Sequence, residues 1–277
     1  MLTLAEVKSR TAKERDSWWT VLLVDPIALR LTRLVAPIKG LTPNRITLIA
    51  FTFGMLAALC FAQADRGWLI AGAVLYYIGF LWDCVDGKIA RLNGTGTIFG
   101  MWLDYILDQV RIIICVSCLF GAQYLATHNA WFLVVGAGVL TLDLFHYVNS
   151  QEIFQINTEM RTRLAAARTQ AGMVVAENEA DAKKRLGNRS MLELTGGAGG
   201  GLFGRIRTAL RRSRIRPHLV GGIEFQMAVL IIAPLTGWII PVSVTAGALM
   251  ILFELAVVAM VYKAARSVSH EIATLPR

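Results

Sequence analysis

The chain has 277 residues, of which 55% are hydrophobic and only 17% charged, with mean hydropathy +0.54. A soluble domain carries roughly 25% charged residues, so this composition excludes a disordered chain and argues against a cytosolic globular domain. The net charge of +9 is first a topology signal and only then a hint of anionic partners.

Residues 1–16 carry both signs of charge and are followed by no short apolar run with a small-residue cleavage site, so no signal peptide is expected. Residues 17–38 are apolar but interrupted by Asp25, Pro26, Arg30 and Arg33, with Trp18 and Trp19 at the edge. This pattern predicts an amphipathic helix lying in the membrane interface; a broken first span is the alternative. Six long apolar segments follow, at approximately 45–64, 68–90, 98–126, 130–149, 218–240 and 243–266. Each has about the 20 residues needed to cross ~30 Å of hydrocarbon as a helix. The expected fold is an all-α integral membrane protein with six transmembrane helices plus the N-terminal interfacial helix.

The chain divides into a cytoplasmic N-terminus and interfacial helix (1–40), four spans (41–149), a polar insertion (150–217), and two spans with a tail (218–277). If the N-terminus is cytoplasmic, the turns near 65–67, 127–130 and 238–242 face outward and contain one basic residue, Arg66. This asymmetry places both termini inside, and the scarcity of extramembrane structure leads to the expectation of a cell (inner) membrane. In the insertion, residues 158–193 are charged and Ala-rich and predict helix, and TGGAGGG (195–201) predicts a flexible break. RIRTALRRSRIR (205–216) carries six arginines, which either hold anionic headgroups or only set topology. The Gly run lacks the Gly-Lys-Ser/Thr ending of a phosphate loop, and no nucleic-acid partner is expected. Cys60, Cys84, Cys115 and Cys118 lie in apolar stretches and read as buried free thiols, Cys115-x2-Cys118 included.

The chemistry concentrates in residues 83–108, DCVDGKIARLNGTGTIFGMWLDYILD. Asp83 and Asp86 are at i,i+3 near the end of span two, and Asp104 and Asp108 are at i,i+4 near the start of span three. The short connection makes the two helices antiparallel neighbours, so four carboxylates can converge at the cytoplasmic surface. Ionised carboxylates cost at least ~2.5–3.5 kcal/mol each at membrane depth. Divalent metal offsets that cost, and hard oxygen ligands suit Mg²⁺, Mn²⁺ or Ca²⁺. Four carboxylates can bridge two ions ~3.5–4 Å apart, an arrangement suited to phosphoryl chemistry. Arg91 can clamp phosphate oxygens, and Gly87 and Gly100 allow close approach to the backbone.

These residues spell D-x2-D-G-x2-A-R-x8-G-x3-D-x3-D, through Asp83, Asp86, Gly87, Ala90, Arg91, Gly100, Asp104 and Asp108. The stretch resembles the signature of the CDP-alcohol phosphotransferases (CDP-alcohol phosphatidyltransferases). The resemblance extends to the six-span layout, the interfacial helix and the LTPN-x-IT start of span one (Leu41 to Thr47), but leaves 150–217 unexplained.

The resemblance implies transfer of a substituted phosphate from a CDP-alcohol to a hydroxyl acceptor, with release of CMP, in phospholipid biosynthesis. It implies that Asp83, Asp86 and Asp104 ligate a pair of divalent cations, Mg²⁺ or Mn²⁺. Asp108 would touch the second ion and take the acceptor's proton. Gly87, Arg91 and Thr97 would contact the CDP moiety, Ala90 would leave room for it, and Gly100 belongs to the same site. Asn44, Arg45, Ile46 and Thr47 would reach the diphosphate or cytidine. A homodimer is implied as well. Two departures stand out. Gln109 replaces a basic residue found in many relatives, leaving Arg111 either to bind acceptor phosphate or to pair with Asp108. Residues 146–152 (HYVNSQE) lack the Lys-x-Arg of relatives that accept phosphorylated polyols. The donor is expected to be CDP-diacylglycerol; the alternative is a CDP-linked small headgroup moved to a lipid hydroxyl. A cation transporter and a non-catalytic scaffold are the readings from other classes. Asp143, His146, Glu224, Gln226 and Glu254 are further polar groups inside spans, read as interhelical hydrogen bonding, with Asp143, His146 and Glu224 alternatively shaping an acceptor pocket.

Overall fold

A computed structural model describes residues 3–13, 16–38, 40–170, 214 and 220–275. The expected helix beyond Gln170, the Gly-rich break at 195–201 and the arginine segment 205–216, Arg214 apart, lie outside the described residues. The chain forms two compact units, one of residues 1–143 and 207–250, the other of 144–206 and 251–277.

In the first unit, α1 (Leu4–Thr11) opens on a capping box between Thr3 and Glu6. The Thr3 backbone N–H and hydroxyl both donate to Glu6, which holds that carboxyl below the usual carboxylate range. A π-helical turn, Thr20–Val24, leads into α2 (Asp25–Val35). The α2 face carrying Ala28, Leu29, Thr32 and Val35 is buried, while Ile27 and Leu34 are exposed. The exposed face thus mixes Ile27 and Leu34 with the charged Arg30 and Arg33.

Helix α3 (Pro43–Phe61) starts with proline in its first turn, where the missing N–H costs nothing. It packs most extensively against α4 (Arg66–Asn93) and then α5 (Ile98–Thr127). A β-carbon on Gly79 would lie 3.0 Å from the Ala50 carbonyl oxygen, so the α3 and α4 backbones approach closely there. Gly94, at φ +63°, ends α4, and Thr97 caps α5, so four residues reverse the chain between antiparallel helices. At the other end of these helices Arg66 donates to the carbonyls of Pro234, at 2.6 Å, and Leu235. Trp68, Trp131 and Trp238 stand exposed at the starts of their helices, at positions typical of an aromatic belt.

Two helices run through both units: α6 (Trp131–Gln170) and, last in the chain, α9 (Ile239–Thr274). Between them α7 (Gly222–Met227), a π-helical turn (Ala228–Ile232) and α8 (Ala233–Thr236) form one short apolar rod. Five helices (α3, α4, α5, α6 and α9) are long and apolar enough to cross a membrane. The rod Gly222–Thr236, the fifth expected span, is shorter than the other five. The protein is all-helical in its described residues and of multi-pass membrane type. Helix α6 continues without a break past residue 149, so residues 150–170 of the polar insertion extend span four. In the second unit Met160, Leu164, Ala264 and Val268 form a small core, with Arg168 paired to Glu271 nearby.

Candidate active site

The last turns of α4 and the first turns of α5 carry the acids. Asp83, Asp104 and Asp108 offer carboxylate oxygens that all lie within 4.8 Å of one another. Asp86, the fourth acid of the motif, follows Asp83 at i,i+3 on α4. Its Oδ2 accepts a 2.6 Å hydrogen bond from the Thr47 hydroxyl on α3. Three helices thus build the site, with α3 orienting an acid that α4 supplies.

Arg111, one turn beyond Asp108 on α5, is 3% exposed. Its Nη2 lies 2.6 Å from Asp108 Oδ1, and its Nη1 lies 3.6 Å from Asp83 Oδ1. The guanidinium also stands 5.7 Å from the centre of the Tyr76 ring. Of the two roles open to Arg111 in the sequence, pairing is the one the geometry displays. The side chain reaches this position across Gly54 of α3, where a β-carbon would fall 2.4 Å from Arg111 Cδ. One guanidinium does not balance three clustered carboxylates. Asp83 Oδ1 and Asp104 Oδ1 are buried and receive no hydrogen bond. Buried acceptor oxygens left without donors are costly, and hard oxygens gathered this closely fit a divalent cation.

The remaining motif residues surround this cluster unevenly. Arg91 lies over Gly87, its Nη1 3.5 Å from where a β-carbon would be, and its Nε donates to the Thr11 carbonyl at 2.8 Å. Ala90 is half-buried one residue earlier. Gly100 faces Asn44, since a β-carbon there would lie 2.7 Å from Asn44 Oδ1. The starts of α3 and α5 therefore adjoin. The Thr97 hydroxyl caps α5 by accepting from the Gly100 N–H at 3.0 Å. Arg45 donates to the Gly40 carbonyl at 2.7 Å, and Ile46 is fully buried in the apolar core. Asn44, Thr47, Gly87, Arg91, Thr97 and Gly100 are therefore near the acids or each other, whereas the Ile46 side chain belongs to the packing.

Several supporting residues carry no motif signal. Asp143 on α6, 4% exposed, accepts from Gln109 at 3.3 Å and from Gln226 at 2.8 Å. Gln109, in the place of the expected basic residue, thus ties α5 to α6. Lys88, buried on α4, pairs with Asp25 of α2 at 2.9 Å. Gly54 could have been suspected from its place in a small-residue stretch of α3; the Asp25–Lys88 pair had no local signal.

Residues 40–177 match the CDP-alcohol phosphatidyltransferase family. The chain is 35% identical over 101 residues to a phosphatidylinositol phosphate synthase of Corynebacterium glutamicum, covering 36% of this chain and 41% of that protein. It is 37% identical over 82 residues to an archaetidylinositol phosphate synthase of Pyrococcus horikoshii, covering 30% and 40% respectively. The matches thus span about two fifths of the length of these curated relatives. The solved phosphatidylinositol phosphate synthase of Mycobacterium tuberculosis, in complex with manganese and citrate, overlays with a TM-score of 0.39 and 22% identity, covering 92% of this chain and 90% of that one. Through this match over residues 40–177, which contain all eight motif residues, the chain belongs to the CDP-alcohol phosphatidyltransferase family.

Proposed function

We propose that the protein is a metal-dependent CDP-alcohol phosphotransferase of phospholipid biosynthesis. It would cross the membrane six times, with its N-terminal helix in the interface and its termini and acid cluster cytoplasmic. The observation that carries this reading is the convergence of Asp83, Asp104 and Asp108, with two buried oxygens that receive no hydrogen bond. These three acids and Asp86 would hold two divalent cations, Mg²⁺ or Mn²⁺. Bound there, the cations would neutralise the diphosphate and stabilise the charge on departing CMP.

The residues divide the remaining work. Arg91, over Gly87, would hold diphosphate oxygens, and Asn44 and Thr97 would flank the nucleotide. Asp108 would accept the acceptor hydroxyl's proton as that oxygen bonds to the alcohol-bearing phosphorus, while the bond from that phosphorus to the CMP oxygen breaks. Arg111 fixes the direction of Asp108 through the 2.6 Å pair and compensates part of its charge. Thr47 does the same for Asp86 through a hydrogen bond.

The preferred donor is CDP-diacylglycerol, with a soluble alcohol as acceptor, and the working unit is a homodimer. The names of the relatives bring inositol phosphate into the acceptor panel, although residues 146–152 offer it no Lys or Arg. CDP carrying a small headgroup, with a lipid hydroxyl attacking, uses the same site. Incubating the protein with labelled CDP-diacylglycerol, or with CDP-linked headgroups, and a panel of alcohols separates these cases through the mass of the product. Asp108→Asn should abolish CMP release while the protein stays folded. A wild-type chain that releases no CMP from any of these donors, or an Asp108→Asn chain that releases it normally, would refute the assignment.

A further inference from the structure

Arg91 lies in the last turn of α4, beyond the acids, and its guanidinium is held by a segment eighty residues away in the chain. Its Nε donates to the Thr11 carbonyl at 2.8 Å, which leaves Nη1 and Nη2 at 3.5 and 3.7 Å from the β-carbon position of Gly87. A guanidinium is planar, so fixing Nε fixes the plane in which the two outer nitrogens present their hydrogens. The Thr11 carbonyl belongs to the last turn of α1, where carbonyls lack helical partners and the helix dipole favours a cation.

Helix α1 is docked rather than trailing. Val7 and Thr11 are fully buried. Beyond α1, Arg214 Nε donates to the Lys13 carbonyl at 2.9 Å, and the Arg214 carbonyl accepts from the Asp16 N–H at 2.9 Å. Arg214 Nη1 also lies 3.4 Å from Asp25, which pairs with Lys88, three residues before Arg91. The segment is therefore strapped to the end of α4 both before and after the Arg91 contact.

We propose that α1 is a positioning element of the donor site: the Thr11 carbonyl orients Arg91 so that its outer nitrogens meet the diphosphate of a CDP-alcohol above Gly87. This rests on the reading of the site as a transferase and of Arg91 as a donor contact. An arginine already held in its binding rotamer loses less freedom when the diphosphate arrives, so the contact acts on donor affinity and leaves the chemical step alone.

A double-mutant cycle on the full-length protein tests this, with kcat and both KM values read from CMP release. Val7→Asp undocks α1 from its buried contact, and Thr3→Ala with Glu6→Ala removes the capping box as a milder second route. Each should raise the donor KM, by about tenfold for Val7→Asp, the order expected for losing one charge-assisted hydrogen bond. The acceptor KM and kcat should stay within about twofold, because only donor binding is affected. Val7→Ile should restore the donor KM. Arg91→Ala should raise the donor KM by itself, and adding Val7→Asp to it should change nothing further. Should the two effects multiply, or should kcat and both KM values move together, α1 is only structural and the proposal fails. If Val7→Asp does not fold, the capping-box variant decides by the same criteria. A wild-type chain that releases no CMP sinks the transferase reading and this proposal with it, whereas an active wild type with multiplying effects sinks this proposal alone.

Discussion

Two clusters set acids within apolar helices, and they are treated in opposite ways. In the second unit Glu254 of α9 is buried, with one oxygen 2.5 Å from His146 Nδ1 and the other accepting from Asn149 at 2.5 Å. Both oxygens are occupied by residues of the chain itself, and the cluster is complete as an interhelical joint. In the first unit Asp83, Asp104 and Asp108 crowd together, and two of their buried oxygens receive no hydrogen bond. A polar group that a fold has satisfied holds helices together. One that it has left unsatisfied is held ready for something that arrives. The contrast sets the acid cluster apart from the His146–Glu254 joint.

This contrast can be broken experimentally, and the largest effect is expected at the acids. Asp104→Asn should lower CMP release by about 10³-fold, the order of a lost metal ligand or catalytic base, with thermal stability unchanged or raised as repulsion is relieved. A loss of stability that tracks the loss of activity would make Asp104 structural. Next comes Gly54→Leu, which fills the space crossed by the Arg111 stem. Displacing Arg111 frees Asp108 to reorient, and kcat should fall by about 10²-fold, as for a small misplacement of a catalytic group. Gly54→Leu with unaltered kcat would show that the Arg111–Asp108 pair is dispensable. The smallest effect belongs to the complete cluster. Glu254→Ala should lower stability by about 1 kcal/mol, the usual scale of hydrogen bonds between membrane helices. CMP release per folded molecule should be unchanged, and a selective loss of kcat there would erase the distinction between the two clusters.

Much of this was legible in the sequence because it was local. The acids lie on two helices joined by a four-residue turn, so i,i+3 and i,i+4 spacing was enough to bring them to one place. Long apolar runs of about 20 residues likewise marked α3, α4, α5 and α9. What escaped depends on residues far apart in the chain. The space for Arg111 comes from Gly54, and the orientation of Asp86 from Thr47. The partner of Lys88 comes from an N-terminal aspartate that broke an apolar pattern. Asp25 read as an interruption of an interfacial helix, yet it is 4% exposed and paired. The fifth apolar segment was recognised, but nothing in its composition signalled the π-helical turn that interrupts the rod Gly222–Thr236. The boundary at residue 149 marks where the apolar stretch ends, and helix α6 runs on from there through polar residues to Gln170.

The most direct test of the account is binding of Mn²⁺ to the purified protein, titrated without any substrate. Wild type should bind and gain thermal stability with rising Mn²⁺, and Asp83→Asn with Asp104→Asn should abolish both responses while Glu254→Gln keeps them. Equal Mn²⁺ binding by wild type and the doubly substituted protein would contradict the claim that these carboxylates are gathered to hold metal.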